Sequence, residues 1–308
     1  MISLLKRVWP VDRAVWIRKR VAKLYRFLVY LKYRWWRFFQ RIFSGEKIWL
    51  PVYGQDVRIV VRTDDYRSYI ISKQRGTQKD KIRVWRDLVA LNPDIVIDIG
   101  ANYGEFTASV ALTGKKIYAI EANPLIAQCL DESFNKFNNI IVKNFAASDR
   151  DGKLQLYFNP DSSGSGSVSA NVPNYEKEVC IRGGHVHVEK VHAVRIDTFI
   201  LEDCQAVPRS VVIKIDVEGH DQAAFNGLKK LLRKVDWWRV LIEYSPQAIE
   251  QTGGDPIEFW KMLSAYNGVV LDRKSTFYSN CEDLNMCLPG HAPNGECEVL
   301  IGRGRACS

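Results

Sequence analysis

The 308-residue chain has no run of 18 or more apolar residues, so no segment is expected to cross a membrane as a helix. Its start lacks the continuous apolar core and small-residue cleavage site of a secretory signal, and the expected location is the cytoplasm. Seven cysteines is an odd count with no Cys-x-x-Cys pair, and Cys129, Cys180 and Cys204 lie far apart. A disulfide framework is therefore not expected. Cys281, Cys287, Cys297 and Cys307 gather near the end without the spacing of a zinc site. Positive charge is missing from most of the chain. Residues 1–44 hold twelve Lys and Arg and one acid, Asp12, so they carry +11 against a total of +9, and the other 264 residues sum to −2. The body thus offers no charge-based reason to expect nucleic acid. It does have a 46% apolar content, ample for a buried core, and a length that suits one large α/β domain or two smaller ones.

Residues 1–44 also hold eleven of the 35 aromatic side chains. Ile17, Val21, Leu24, Leu28, Leu31, Trp35, Phe38 and Ile42 recur at spacings of three and four, which keeps them on one face of a helix. Lys19, Lys23, Arg26, Arg34, Arg37 and Arg41 fall on roughly the opposite face. Such a helix suits an anionic membrane surface. Its seven-residue repeat equally suits packing on its own domain or in a homodimer, and its charge leaves nucleic acid as a third reading. The expected organisation is this segment, a small β and helical lead-in over 45–90, and a main domain over 91–308 with an inserted loop at 159–190.

The main domain alternates strand and helix. Ile95–Ile99 is a β-branched apolar run stopped by Gly100, the pattern of a strand buried on both faces of a parallel sheet. A glycine turn through Gly104 then opens a helix, where free backbone amides can meet a ligand. The second strand, Lys116 to Ile120, ends in Glu121, placed to accept both ribose hydroxyls of an adenosine cofactor. The third, Ile140 to Ala146, leads to Asp149, placed to meet an adenine amino group. A dinucleotide site would show Gly-x-Gly-x-x-Gly. Here Gly100 and Gly104 stand without a middle glycine, and Asp98 precedes them, which favours a cationic sulfonium ligand, S-adenosylmethionine, over NAD.

Ser162 to Ser167 is a Ser-Gly alternation read as a mobile loop and candidate lid, and His185, His187 and Glu189 share one face of a strand, solvated or metal-binding. Val211 to Asp216 is the fourth buried strand, followed by Glu218 and His220 and a helix from Gln222 to Lys234. Val240 to Ile242 is the fifth, ending at Glu243, and Val269–Leu271 with Glu298–Ile301 can add an antiparallel pair. In such sheets ligands sit beyond the carboxyl ends of the strands, so Asp98, Glu121, Asp149, Asp216, Glu218 and Glu243 are expected on one rim.

The segments Val96–Thr107, Glu121–Pro124 and Ile213–His220 together resemble the FkbM family. Segments like Ala147–Asp149, Arg195–Phe199 and Ile242–Glu243 also belong to its pattern, and the likeness covers roughly residues 90–250. The resemblance implies a class I, Rossmann-like sheet of seven strands and an S-adenosylmethionine-dependent O-methyltransferase acting on sugars, polysaccharides or macrolides. It implies that Asp98, Gly100, Asn102, Gly104, Glu121 and Asp149 contact the cofactor. It places Asp216, Glu218 and His220 at the catalytic acceptor side, and Glu243, on the same rim, is the candidate to bind the substrate.

Methyl transfer from a sulfonium is an in-line displacement, and a sugar hydroxyl needs a base within hydrogen-bond reach. Glu218 and His220 are the candidates, with Asp216 orienting one of them. A divalent ion held by Asp216, Glu218 and Glu243 is an alternative, although no metal is expected. A nucleic-acid methyltransferase is another alternative, against which stands the lack of an Asn-Pro-Pro-Tyr motif after the fourth strand. A third is a module that binds the cofactor without turnover.

Overall fold

The computed structural model describes residues 11–52, 56–73, 78–170, 186–271, 288, 293 and 295–304. Its centre is a seven-stranded sheet of β3 (Ile95–Ile99), β4 (Lys116–Ile120), β5 (Ile140–Lys143), β10 (Ser210–Ile215), β11 (Trp237–Tyr244), β12 (Asn267–Leu271) and β13 (Cys297–Arg303). The order across the sheet is β12-β13-β11-β10-β3-β4-β5. All neighbours run parallel except β13, which is antiparallel to both β11 and β12, as the sequence pattern anticipates. Every residue of β3 and β10 is buried, in keeping with strands that are β-branched apart from Asp98, Ser210 and Lys214.

Side-chain alternation divides the core into two layers. On one face Val96, Ile117 and Val212 pack under α3 (Lys79–Ala90), α4 (Glu105–Val110) and α5 (Pro124–Phe134) through Trp85, Phe106 and Phe134. On the other, Ile97, Ile213 and Val240 pack under α6 (Ile196–Asp203), α7 (Asp221–Asn226), α8 (Lys229–Lys234), α9 (Pro246–Gln251) and α10 (Pro256–Leu263). Helices on both faces of a mostly parallel sheet make this a Rossmann-like α/β fold. Residues 45–90 contribute to the first layer: the hairpin β1 (Lys47–Pro51) and β2 (Arg58–Arg62) places Ile59, Val60 and Val61 in the same core as Phe134. The helices α2 (Tyr66–Ser72) and α3 lead from it to the sheet.

Three sequence expectations are corrected. The strand expected over Ile140–Ala146 is two: β5 joins the main sheet, and β6 (Ala146–Ser148) joins a second sheet of four strands, at its edge. The chain turns between them at Asn144, whose Nδ2 donates to the carbonyls of Glu121 and Ala122 at 2.8 and 3.1 Å. The helix expected over 222–234 is α7 and α8, broken at Gly227, where a side chain would collide with the Ser148 carbonyl. The Ser-Gly segment is not a mobile loop but strand β8 (Ser162–Ser167), paired with β7 (Gly152–Asn159). Its low strand propensity is overridden by tertiary hydrogen bonds. Ser163 donates through both N and Oγ to the buried Asp65 carboxylate, and Ser167 Oγ donates to the Glu218 carbonyl at 2.8 Å. Strand β9 (His187–Arg195) completes this sheet.

Helix α1 (Val11–Ser44) precedes these elements. Among the described residues no helix is long and apolar enough to cross a membrane.

Candidate active site

At the carboxyl ends of β3, β4, β10 and β11 lies a cavity of about 700 Å³. Its first wall grows from the turn after β3. Gly100 N and Ala101 N both donate to the Ile120 carbonyl at the end of β4, which folds the turn back over the neighbouring strand. Gly100 adopts φ +73, and a Cβ there would lie 1.8 Å from the Asp216 carbonyl oxygen. Glycine is thus required by the approach of β10's end. At Gly104 (φ +87) a Cβ would strike Leu130 and Phe134 of α5, so that glycine serves helix packing and does not line the cavity. Asn102 takes φ +50, a conformation Asn tolerates better than most residues.

Glu121 closes this wall. One carboxylate oxygen accepts from Asn102 N and the other from Asn123 N, each at 2.8 Å. Burial raises its pKa, and these two N–H groups and Lys214 oppose the rise. A carboxylate has about four lone-pair sites, so two are free for a ligand. Apolar side chains of Ile120, Ala122, Phe145, Ala147 and Leu156 line the space beside it.

The opposite wall comes from β10, β11 and the lead-in. Lys214 interrupts an otherwise apolar strand and stands opposite Asp98 in the β3 register. Its Nζ lies 3.5 Å from both Asp98 Oδ1 and Asp216 Oδ2, donates to the Gly100 carbonyl at 3.1 Å, and sits 4.9 Å from the centre of the Phe106 ring. Burial opposes its charge, but Asp216 and Asp98 outweigh it and leave the ammonium more firmly protonated than usual. Asp216 is the mirror case: burial favours its neutral form, yet Lys214, Lys81 and Arg67 hold its carboxyl below the usual range. Lys81 of α3 reaches both Glu243, at 3.4 Å, and Glu298. Burial with Asp216 and Glu218 nearby still pushes Glu243 well above the ordinary carboxylate value.

Glu218 occupies the left-handed region at φ +51, a strained conformation of the kind that concentrates at functional sites. Its loop is held by Asp221, whose carboxylate accepts from Val217 N at 3.1 Å and Gly219 N at 2.9 Å. Burial and the charge of Asp216 push Asp221 up to about 7. His220 Nε2 lies 3.1 Å from Ser148 Oγ, and burial lowers its pKa, partly offset by Asp149.

Of the residues anticipated from sequence, Gly100, Asn102, Glu121, Asp216, Glu218, His220 and Glu243 line this one cavity. Asp98, Gly104 and Asp149 do not line it. Asp98 is fully buried beneath the turn, accepting from Thr107 Oγ1 at 2.7 Å, and acts on the cavity through Lys214 and through its charge on Glu121. Asp149 stands outside, its side chain 45% exposed. Lys81, Arg67, Asp221 and Lys214 were not singled out in sequence. Only Lys214 carried a signal, a cation within a run expected to be buried, which demands a counter-ion.

Among the described residues no three His, Cys, Asp or Glu side chains are grouped to hold a metal ion, and the trio Asp216, Glu218 and Glu243 is included in that statement. His187 pairs with Glu189 at 3.3 Å on an exposed strand face, and His185 lies outside the described residues. So do Cys180, Cys281, Cys287 and Cys307, whereas Cys129, Cys204 and Cys297 are free thiols.

Comparison with known proteins bears on the chemistry. A hexuronic acid methyltransferase, AglP, of Haloferax volcanii is 24% identical over 228 residues, covering 67% of this chain and 84% of that protein. Among solved structures, an O-methyltransferase from Bacillus cereus in complex with SAH shares 12% identity at a TM-score of 0.39, covering 73% of this chain and 80% of that one. Precorrin-6y C5,15-methyltransferase from Geobacter metallireducens shares 13% at a TM-score of 0.36, covering 74% and 90%. The methyltransferase FkbM domain matches residues 98–270, from the buried acid of β3 into β12. That stretch is more than half of the chain and contains both walls of the cavity's strand ends, and on it the chain belongs to the FkbM methyltransferase family.

Proposed function

We propose that the chain is an S-adenosylmethionine-dependent O-methyltransferase whose acceptor is a hydroxyl of a sugar, in a glycan or glycolipid. The observation that carries this reading is Glu121, a half-buried carboxylate fixed by two backbone amides at a strand end, with lone pairs to spare and an apolar slot beside it. The donor set fits the cofactor. Glu121 suits the two ribose hydroxyls, Phe145, Ile120 and Ala147 suit a purine, and the carboxylate kept ionised at Asp216 suits a cationic sulfonium.

When bound, the cofactor supplies a methyl group on a good leaving group. The chain's own part is to hold the acceptor oxygen in line with that methyl and to take its proton. His220 is the better base at neutral pH, because burial keeps its imidazole unprotonated, with Ser148 Oγ fixing the ring. Glu218 is the second candidate, and Asp216 contributes charge and orientation. Ser163, Ser245, Gln247 and Gln251 offer the hydroxyls and amides that bind a polyol. A sugar acceptor is further supported by the 24% identical relative, which acts on a hexuronic acid.

Calorimetric titration with S-adenosylmethionine, with NAD as a control, tests the cofactor, and release of S-adenosylhomocysteine over a panel of sugars and glycans tests the acceptor. Binding of S-adenosylmethionine but not NAD is expected. A folded protein that binds neither would overturn the assignment.

A further inference from the structure

Helix α1 meets the rest of the described chain along one side only. Tyr33 is 2% exposed, and its hydroxyl donates to the Asp64 carbonyl at 2.6 Å. Its ring stands edge-on to Tyr66 at 5.3 Å, Trp36 packs against Tyr69 at 5.7 Å, and Arg37 pairs with Asp161 at 3.5 Å. At 100° per residue, Ile42 lies half a turn away from Tyr33. On that far side Leu28, Trp35, Phe38, Phe39 and Ile42 are 46–62% exposed, and Phe43 on the flank is 77% exposed. Their rings run together, Trp35 stacked with Phe39 at 5.9 Å and Phe39 with Phe43 at 6.1 Å. Lys32 on one edge, and Arg34 and Arg41 on the other, are exposed and flank the strip.

We propose that this face of α1 seats on an anionic phospholipid surface and holds the protein there without crossing the bilayer. A contiguous exposed patch of large apolar side chains marks an interaction site. Charge then selects the occupant. Helix α1 carries ten Lys and Arg against one acid, Asp12. A second copy on this face would bring two such cationic helices together, at a cost in like-charge repulsion. Nucleic acid would be met by aromatic rings, with the cations only at the margins. An anionic lipid surface accepts both parts: rings enter the headgroup boundary, and flanking Lys and Arg reach the phosphates.

The docking has a consequence for the acceptor, which rests on the proposed methyltransferase reading. Tyr66 touches Tyr33 and also lines the cavity. The cavity rim at α2 is therefore separated from the lipid by about one helix diameter, roughly 10–12 Å. A sugar carried on lipid lies within that distance, which suits a membrane-borne glycan as acceptor.

The test uses the full chain, sedimented with vesicles of phosphatidylcholine alone and of phosphatidylcholine mixed with phosphatidylglycerol. Binding to the mixed vesicles that weakens as salt rises is expected. The combined substitutions Trp35→Glu, Phe38→Glu and Ile42→Glu should reduce it by at least about tenfold. These positions lie opposite the docked face, so the cofactor titration should be unchanged and certifies the fold. Equal binding to neutral vesicles, no binding by the native chain, or full binding by the variant would overturn the proposal. So would a native dimer, seen by sedimentation velocity, that the variant converts to monomer. Vesicle binding does not depend on the cofactor, so a failed titration with intact vesicle binding would sink the enzymatic reading and leave this one standing.

Discussion

The two walls of the cavity are held by different physics. The β3–β4 wall is local: Gly100, Asn102, Glu121 and Asn123 lie within two strand ends and are locked by backbone hydrogen bonds of 2.8–3.0 Å. The β10–β11 wall is assembled from charges far apart in sequence, with Lys81 and Arg67 of the lead-in acting on Asp216 and Lys81 pairing Glu243. Short-range backbone bonds give a rigid wall that depends on few residues. A buried ion-pair network gives a wall whose protonation and stability change together when any member is removed.

The sharpest way to break the comparison is Lys214→Met. It leaves Asp98 and Asp216 without their shared cation in a buried setting, and a loss of about 3–5 kcal/mol in urea unfolding is expected. A loss under about 1 kcal/mol would show that the network is not what holds this wall. The matching change on the local wall is Glu121→Ala. It leaves the Asn102 and Asn123 amides without their acceptor, so a stability loss of about 1–3 kcal/mol, below that of Lys214→Met, is expected, while S-adenosylmethionine affinity should fall by about a hundredfold in calorimetry. An unaltered affinity would remove Glu121 from the cofactor site.

Lys81→Met sharpens the contrast further. Lys81 lowers both Asp216 and Glu243, so its removal should shift the acidic limb of the rate profile to higher pH by about one unit and slow turnover about tenfold. A rate loss with no movement of the limb would count against the electrostatic coupling. The smallest effect concerns Asp221, whose carboxyl is pushed up to about 7 by burial and Asp216, against roughly 3.9 in an unfolded chain. Between those values the folded state keeps a proton that the unfolded state has released, so native stability falls as pH rises through that window. Asp221→Asn lacks this dependence, and its stability relative to the native chain should improve by at least about 1 kcal/mol from pH 4 to 7 in urea melts. Parallel curves would mean that Asp221 does not carry the proton.

How much of this was readable beforehand follows the same division. The first wall was readable because its residues are contiguous, and strand-turn-helix spacing alone places Glu121 beside the glycine turn. Even there, the role of individual residues was not: Gly104 serves the packing of α5, and Asp98 lies below the cavity floor. The second wall was half readable. Asp216, Glu218 and Glu243 announced themselves at strand ends, but their counter-ions sit as many as 162 residues away. Strand β8 was misread for a related reason. Its Ser-Gly pattern has no strand propensity, and the partner that orders it, Asp65, is 98 residues distant.

Helix α1 shows the limit from the other side. Periodicity pointed to an amphipathic helix within residues 1–44, because a helix's apolar stripe is set by spacing alone, and the structure forms it over Val11–Ser44. Periodicity could not say which side would dock. The side chain that buries is Tyr33, from the face opposite the stripe, and Trp35, Phe38 and Ile42 of the stripe itself stay exposed. By itself the sequence determined what depends on near neighbours: strands, turns, the acid at the end of β4, the cationic character of the helix and the family. Only tertiary structure decided which charges pair, which strain Glu218 bears and which face of α1 is left to solvent. Those depend on contacts across long loops, and their energies arise only once burial has removed water from the groups concerned.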